Sequence, residues 1–249
     1  MKQYRQRDLE KERTADLVRL INGSPKNGTT ALDIGARDGH FSVLLTEFYD
    51  DVTALDLEKP TIAHENIKCV QGNITDLQHS DCAFDLVFCA EVLEHIPTNL
   101  LQKACTELSR VSRNYLIIGV PYNQDIRVGR TTCYTCGGKN PPWGHVNSFT
   151  RKRLETLFAS YDVEQVSFVA QNCERTNVIS TFLMDFAGNP FGTYEQEEQC
   201  IHCDQLLIDP PARTIIKKVL TRASVLLQRL HNVFYKPQPN WIHIVFKKQ

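Results

Sequence analysis

The chain has 249 residues, 42% of them apolar, and a formal net charge of −1 at pH 7. That describes a globular protein of one or two domains and argues against a chain built for nucleic acid, which would carry a strong basic excess. Its charged N-terminus lacks the apolar core of an export signal. No apolar run approaches the roughly 20 residues of a membrane span. Nine cysteines without an export signal do not suggest a disulfide framework, so a reduced, cytoplasmic setting is expected.

Along the chain, Leu9, Leu17, Leu20 and Ile21 among charges predict a leading amphipathic helix over residues 6–22, broken by the Gly- and Pro-containing run 22–28. Residues 31–42 then read as a short aliphatic strand that ends at Asp33 and opens through Gly35 and Gly39 into a helix. Such a turn offers backbone N–H groups to a ligand, and glycine permits close approach. Val52 to Asp56 is a second strand ending in an acid, about one β-α-β unit later, where a ribose hydroxyl pair is expected. From 30 to 120 short apolar strands alternate with helical patterns, predicting a mostly parallel sheet with helices on both faces. One helix is expected from Pro97 to about Ser112. Another spans Thr150 to Ser160, capped by Ser148 or Thr150, and a strand follows over 161–168.

Five stretches in order resemble the class I S-adenosylmethionine-dependent methyltransferases. They are Asp33–Gly39, Asp56, the Gln71-Gly72-Asn73-Ile74 run, the Phe84–Ile96 strand and helix start, and the 114–121 strand; Trp241–Phe246 looks like the last strand. The resemblance implies a Rossmann-like α/β sheet with helices on both faces; the residues outside it read as a cysteine-rich substrate-side insertion and a C-terminal amphipathic helix. The implied organisation is a cofactor-binding core over 1–169 with a substrate-side loop at 121–148. An insertion or lid follows over 170–239, then a final core strand at 240–249. It also implies that Asp33, Gly35, Ala36, Arg37 and Gly39 shape the methionine side of S-adenosylmethionine, with Ala90 nearby. Asp56 and Leu57 would bind the ribose. Asn73 and Ile74 would bind the adenine, Asn73 through its carbonyl oxygen.

Cys133-x-x-Cys136 and Cys200-x-x-Cys203 can together complete the tetrahedral thiolate shell of a structural zinc. A redox pair and unliganded thiols are the competing readings. Cys69, Cys82, Cys89, Cys105 and Cys173 stand singly and read as small core residues.

Glu91, Glu94 and His95 close the fourth strand, and His145 lies in the loop that follows the fifth. The Glu-x-x-Glu-His pattern with a later histidine is similar to that of small-RNA 2′-O-methyltransferases; its two-glutamate, one-histidine part is similar to that of quinone-pathway O-methyltransferases. Both imply a second divalent metal at Glu91, Glu94, His95 and His145. His95 or His145 acting as a general base, with Glu91 beside the methyl group, is the alternative, and a purely positioning role the third.

No Asp or Glu occurs from residue 210 onward, and Ile216, Leu220, Ala223, Leu227, Leu230 and Phe234 form one helical stripe. The expected arrangement packs this stripe on the catalytic domain and leaves a solvated basic face. Peripheral membrane contact through 211–236 and nucleic-acid binding are the other two readings. The expected activity is O-methylation of a small molecule or a glycan or lipid-linked acceptor. The alternatives are a metal-dependent RNA 2′-O-methyltransferase and an inactive scaffold of the same fold.

Overall fold

The computed structural model describes residues 8–24, 28–171, 174–196 and 198–249. The expectations for Cys173 and for the first two residues of the leading helix lie outside them. The elements in chain order are α1 (Asp8–Gly23), β1 (Thr30–Ile34), α2 (His40–Leu45), β2 (Asp51–Asp56), β3 (Ile67–Gln71), β4 (Phe84–Ala90), α3 (Leu101–Val111) and β5 (Ser112–Pro121). After these come β6 (Thr131–Thr132), β7 (Lys139–Asn140), α4 (Arg151–Leu157), β8 (Tyr161–Val169), α5 (Val178–Ala187), α6 (Ile215–Val233) and β9 (Trp241–Lys248).

The chain forms two units. The first comprises 1–122, 149–170 and 239–249, and the second 123–148 and 171–238. In the first, seven strands pair in the order β3-β2-β1-β4-β5-β9-β8; the first five are mutually parallel, and β9 runs antiparallel to both of its neighbours. Strand periodicity divides the apolar residues between two faces. Leu32, Leu116, Ile118, Ile242 and Ile244 pack with the α3 stripe of Leu101, Ala104, Cys105, Leu108 and Val111 on one. Ala31, Ile117, Tyr115 and Val245 pack with Leu17, Leu20 and Ile21 of α1 on the other. β4 is buried on both faces, which is why its stretch from Leu86 to Ala90 reads as an unbroken apolar run. The return of the chain to this unit is marked by a bridge between Tyr122 and Phe149.

Some local expectations need correction. Pro97 does not open the helix: Leu100 N–H bonds to the Pro97 carbonyl in a turn, and α3 starts at Leu101. Thr150, not Ser148, caps α4 by accepting the Arg153 N–H at 3.2 Å. Cys89 and Cys105 are fully buried and Cys69 packs at the core's edge. Cys82 is not a core residue; it is half-buried at a turn with φ of 54°, and Lys248 Nζ approaches its sulfur at 3.6 Å.

In the second unit a β6–β7 hairpin flanks the first cysteine pair. α5 is capped by Asn177, whose side chain accepts the Ser180 N–H, and stopped by Gly188 at φ 88°. Thr214 caps α6 in the same way. The two helices run antiparallel, with Ser180 bonded to Ser224 and Asn177 Nδ2 donating to the Leu227 carbonyl. The buried positions of α6 are thus Thr221 and Ser224. The expected stripe is only partly covered: Leu220, Ala223 and Leu227 are half-buried, whereas Ile216, Leu230 and Phe234 are exposed.

Candidate cofactor and acceptor site

The carboxyl ends of β1, β2 and β4 meet where the strand order turns from β1 to β4, the position at which open α/β sheets take ligands. Asp33, at the end of β1, is buried and accepts both the hydroxyl and the backbone N–H of Ser42 in α2. Burial pushes its carboxyl up to about 7, against the pull of the Ser42 bonds. The folded state therefore keeps a proton that the unfolded chain releases near pH 4, and stability falls as pH rises through that window. Asp33→Asn should flatten this slope, worth at most about 4 kcal/mol, in melting curves taken from pH 4 to 8. An unchanged slope would remove Asp33 as its source.

Gly35 and Gly39 both have positive φ, 75° and 78°. A Cβ at Gly35 would stand 2.4 Å from Val92 Cγ2, so a side chain there is excluded sterically as well as conformationally. The N–H groups expected to await a ligand are partly used within the protein. Gly35 and Ala36 donate to the Leu55 carbonyl at 2.9 and 3.2 Å, and Arg37 N–H donates to Asp56 at 2.9 Å. Asp56 also takes the Leu57 N–H at 2.7 Å, one bond on each carboxylate oxygen, which leaves lone pairs for a diol. Beside it Leu57 exposes 66% of its surface, an apolar ledge suited to a nucleoside, and Ile74 is buried.

Asn73 departs from expectation. Its side-chain oxygen accepts the Thr75 N–H and hydroxyl, both at 2.9 Å, so the end left toward a ligand is the donor Nδ2. Such a donor complements a ring nitrogen, not an amino group.

Beyond Ala90, Glu91 adopts φ of 57° while its N–H stays bonded to the Gly119 carbonyl. Such a conformation costs about 1–3 kcal/mol and is held by surrounding contacts. Arg13 reaches Glu91 at 2.6 Å and Trp241 Nε1 donates to it at 3.2 Å, with the guanidinium 5.4 Å from the Trp241 ring centroid. Arg13 and Trp241 were not foreseen; they come from the two ends of the chain, and no local motif announces them. Glu91 is thereby committed to a guanidinium.

Glu94 is completely buried, and neither of its oxygens has a partner among the described residues. Burial, reinforced by Glu91, raises its carboxyl well above the usual range. One of its oxygens lies within 4.8 Å of a His95 ring nitrogen. Burial and then Arg37 lower the His95 imidazole to about 4, leaving it neutral. His145 belongs to the second unit, where its Nδ1 faces Gln124 Oε1 at 2.7 Å, four residues before the chain returns at Phe149.

The four cysteines of the second unit converge, with all sulfurs within 4.8 Å of one another. Cys133 and Cys203 are 3.7 Å apart, as are Cys136 and Cys200. A tetrahedron with metal–sulfur bonds of 2.3 Å has edges of about 3.8 Å, whereas a disulfide needs about 2.05 Å. The two knuckles have the same backbone. In each, the residue after the second cysteine has positive φ (Gly137, 77°; Asp204, 56°) and its N–H returns to the first cysteine's carbonyl. The first cysteine's own N–H reaches one residue further, to Gly138 or Gln205. Gly138 and His202 N–H groups point at sulfurs. The N–H groups of Cys136 and Thr135 draw Cys133 down to about 6, while burial and its cysteine neighbours push Cys203 up to about 12.

This sheet, with its ligand edge at β1, β2 and β4, is a Rossmann-like nucleoside-binding fold. Residues 32–117 match the sequence model of the "Methyltransferase domain" family. These residues form a methyltransferase domain, and the chain has the fold of the class I S-adenosylmethionine-dependent methyltransferases. A putative methyltransferase from Bacillus halodurans superposes with a TM-score of 0.58 at 16% identity, covering 97% of this chain and 98% of that one. The YcgJ protein of Bacillus subtilis gives 0.57 at 14%, covering 95% and 99%. N-methyltransferase NodS of Bradyrhizobium japonicum, in complex with S-adenosylhomocysteine, gives 0.54 at 15%, covering 97% and 88%. At such identities the likeness is one of fold. No curated protein matches the sequence.

Asp56→Ala should weaken S-adenosylmethionine binding by about 1.5–3 kcal/mol, the scale of hydrogen bonds to a charged group. Calorimetric affinity unchanged in a folded variant would take Asp56 out of the site.

Proposed function

We propose that the protein methylates a hydroxyl oxygen on a small molecule or glycan, lipid-linked acceptors included. The observation that favours oxygen is His95, whose neutral imidazole follows the end of β4. A hydroxyl must lose a proton as its oxygen is alkylated, and a neutral imidazole can accept it. S-adenosylmethionine, when bound, supplies a methyl group that is already electrophilic. The chain's own work is therefore to hold an acceptor in line and take up its proton. In this reading Asp56 and Leu57 hold the ribose, Asn73 and Ile74 the adenine, and Asp33, Gly35, Ala36, Arg37, Gly39 and Ala90 form the methionine end. Arg13 and Trp241 fix Glu91 at the mouth of β4.

The same reading gives the second unit one zinc, held by Cys133, Cys136, Cys200 and Cys203. Four thiolates close its coordination shell, so its role is structural.

Carbon-labelled methyl donor incubated with fractionated metabolites and glycans tests the acceptor, read by the methyl resonance of the product. An O-methyl signal is expected. An N-methyl signal would overturn the oxygen reading and leave methyl transfer intact.

A further inference from the structure

Because α5 and α6 join through hydroxyls, each turns aliphatic and aromatic residues outward. Ile215 is 81% exposed, Val233 78% and Phe186 69%, with Val219, Leu226 and Phe182 also exposed. On α6, at about 100° per residue, Ile215, Val219, Leu226, Leu230 and Val233 fall within an arc of roughly 60°. Lys218, Arg222 and Arg229 lie along one edge of that arc. A groove of about 520 Å³ runs there, lined by Phe191, Arg213, Lys218, Arg222, Leu226 and Arg229. Arg213 stacks over the Phe191 ring at 5.4 Å. None of the four cations forms a salt bridge among the described residues, and no acid follows Asp209 in the chain.

An uncovered apolar face bordered by unpaired cations calls for a partner that is both apolar and anionic. We propose that the exposed apolar face of α6 docks on the surface of an anionic lipid bilayer. The apolar side chains enter the acyl boundary, and Arg213, Lys218, Arg222 and Arg229 meet lipid phosphates. A second copy of the chain is a poor occupant, since an isologous contact would set these cations against their own counterparts. Nor does the face cross the membrane: no described helix is long and apolar enough. The proposal is independent of the identity of the methyl acceptor.

Sedimentation of the full chain with vesicles tests it. Binding is expected to equimolar phosphatidylcholine and phosphatidylglycerol, not to phosphatidylcholine alone, and to weaken with salt. The double variant Arg222→Gln, Arg229→Gln should bind about 30-fold more weakly. Ile215→Ser with Val219→Ser should also lose binding, with the thermal melt of each variant confirming its fold. Equal binding to neutral vesicles, or no binding by the folded wild type, would overturn the proposal. So would a lipid-free dimer that the same substitutions dissolve.

Discussion

Cys133→Ser or Cys200→Ser, each alone, is expected to release about one zinc per chain and to unfold the second unit. The apparent binding free energy of a structural zinc is about 10–16 kcal/mol in small zinc domains, and it is folding free energy. The second unit has little to set against that loss. Among the described residues its buried apolar cluster is Cys133, Tyr194, Cys200 and Leu207, with Tyr134 and Cys203 packed on it, so two of the four members are proposed ligands. Elemental analysis should show the metal gone, and limited proteolysis should cut within 123–148 and 171–238 while the seven-stranded unit still melts cooperatively. Wild-type protein that carries no zinc when expressed with it, yet melts unchanged, would sink the site. Thiol titration gives an independent reading, because a redox pair would show two reactive thiols and zinc-bound sulfurs none until the metal is stripped.

The second large effect concerns His95. His95→Ala should lower the rate by about 10²–10⁴ with cofactor affinity retained. Since the imidazole is lowered to about 4, it is already deprotonated at neutral pH. The profile of kcat/KM should therefore be flat above about pH 5 and fall only on the acid side, where the base takes up a proton. His145→Ala is the companion variant, as His145 is the other histidine the sequence brings forward. Chelation that spares the cysteine zinc separates the remaining mechanism. If a second divalent ion were required, chelation would abolish turnover and magnesium or manganese would restore it. Near wild-type rates in both histidine variants, resistant to chelation, would leave positioning alone.

Much of the sheet was legible because buried parallel strands leave continuous apolar runs, as in β1, β2, β4 and β5. The clustering of the four cysteines was legible because C-x-x-C spacing is local. Their matching backbone was not, since Asp204 stands where the first knuckle has Gly137. Asn73 shows how a neighbour can redirect a motif residue's chemistry: the nearby Thr75 claims the oxygen the motif would offer. The Arg13–Glu91 and Trp241–Glu91 contacts join positions remote in sequence, and only the tertiary fold reveals them. Helix α6 teaches a third lesson. Spacing correctly marks a stripe, but it does not say whether the stripe is covered, and here Thr221 and Ser224 take the buried side.

The most direct test of the account is turnover itself. Full-length, zinc-replete protein should bind S-adenosylmethionine at one site per chain. With a hydroxyl-bearing acceptor pool it should release S-adenosylhomocysteine in proportion to label incorporated, and Asp56→Ala should depress both. Binding of the cofactor without any transfer, across small-molecule and glycan fractions alike, would contradict the account and leave a scaffold of the same fold.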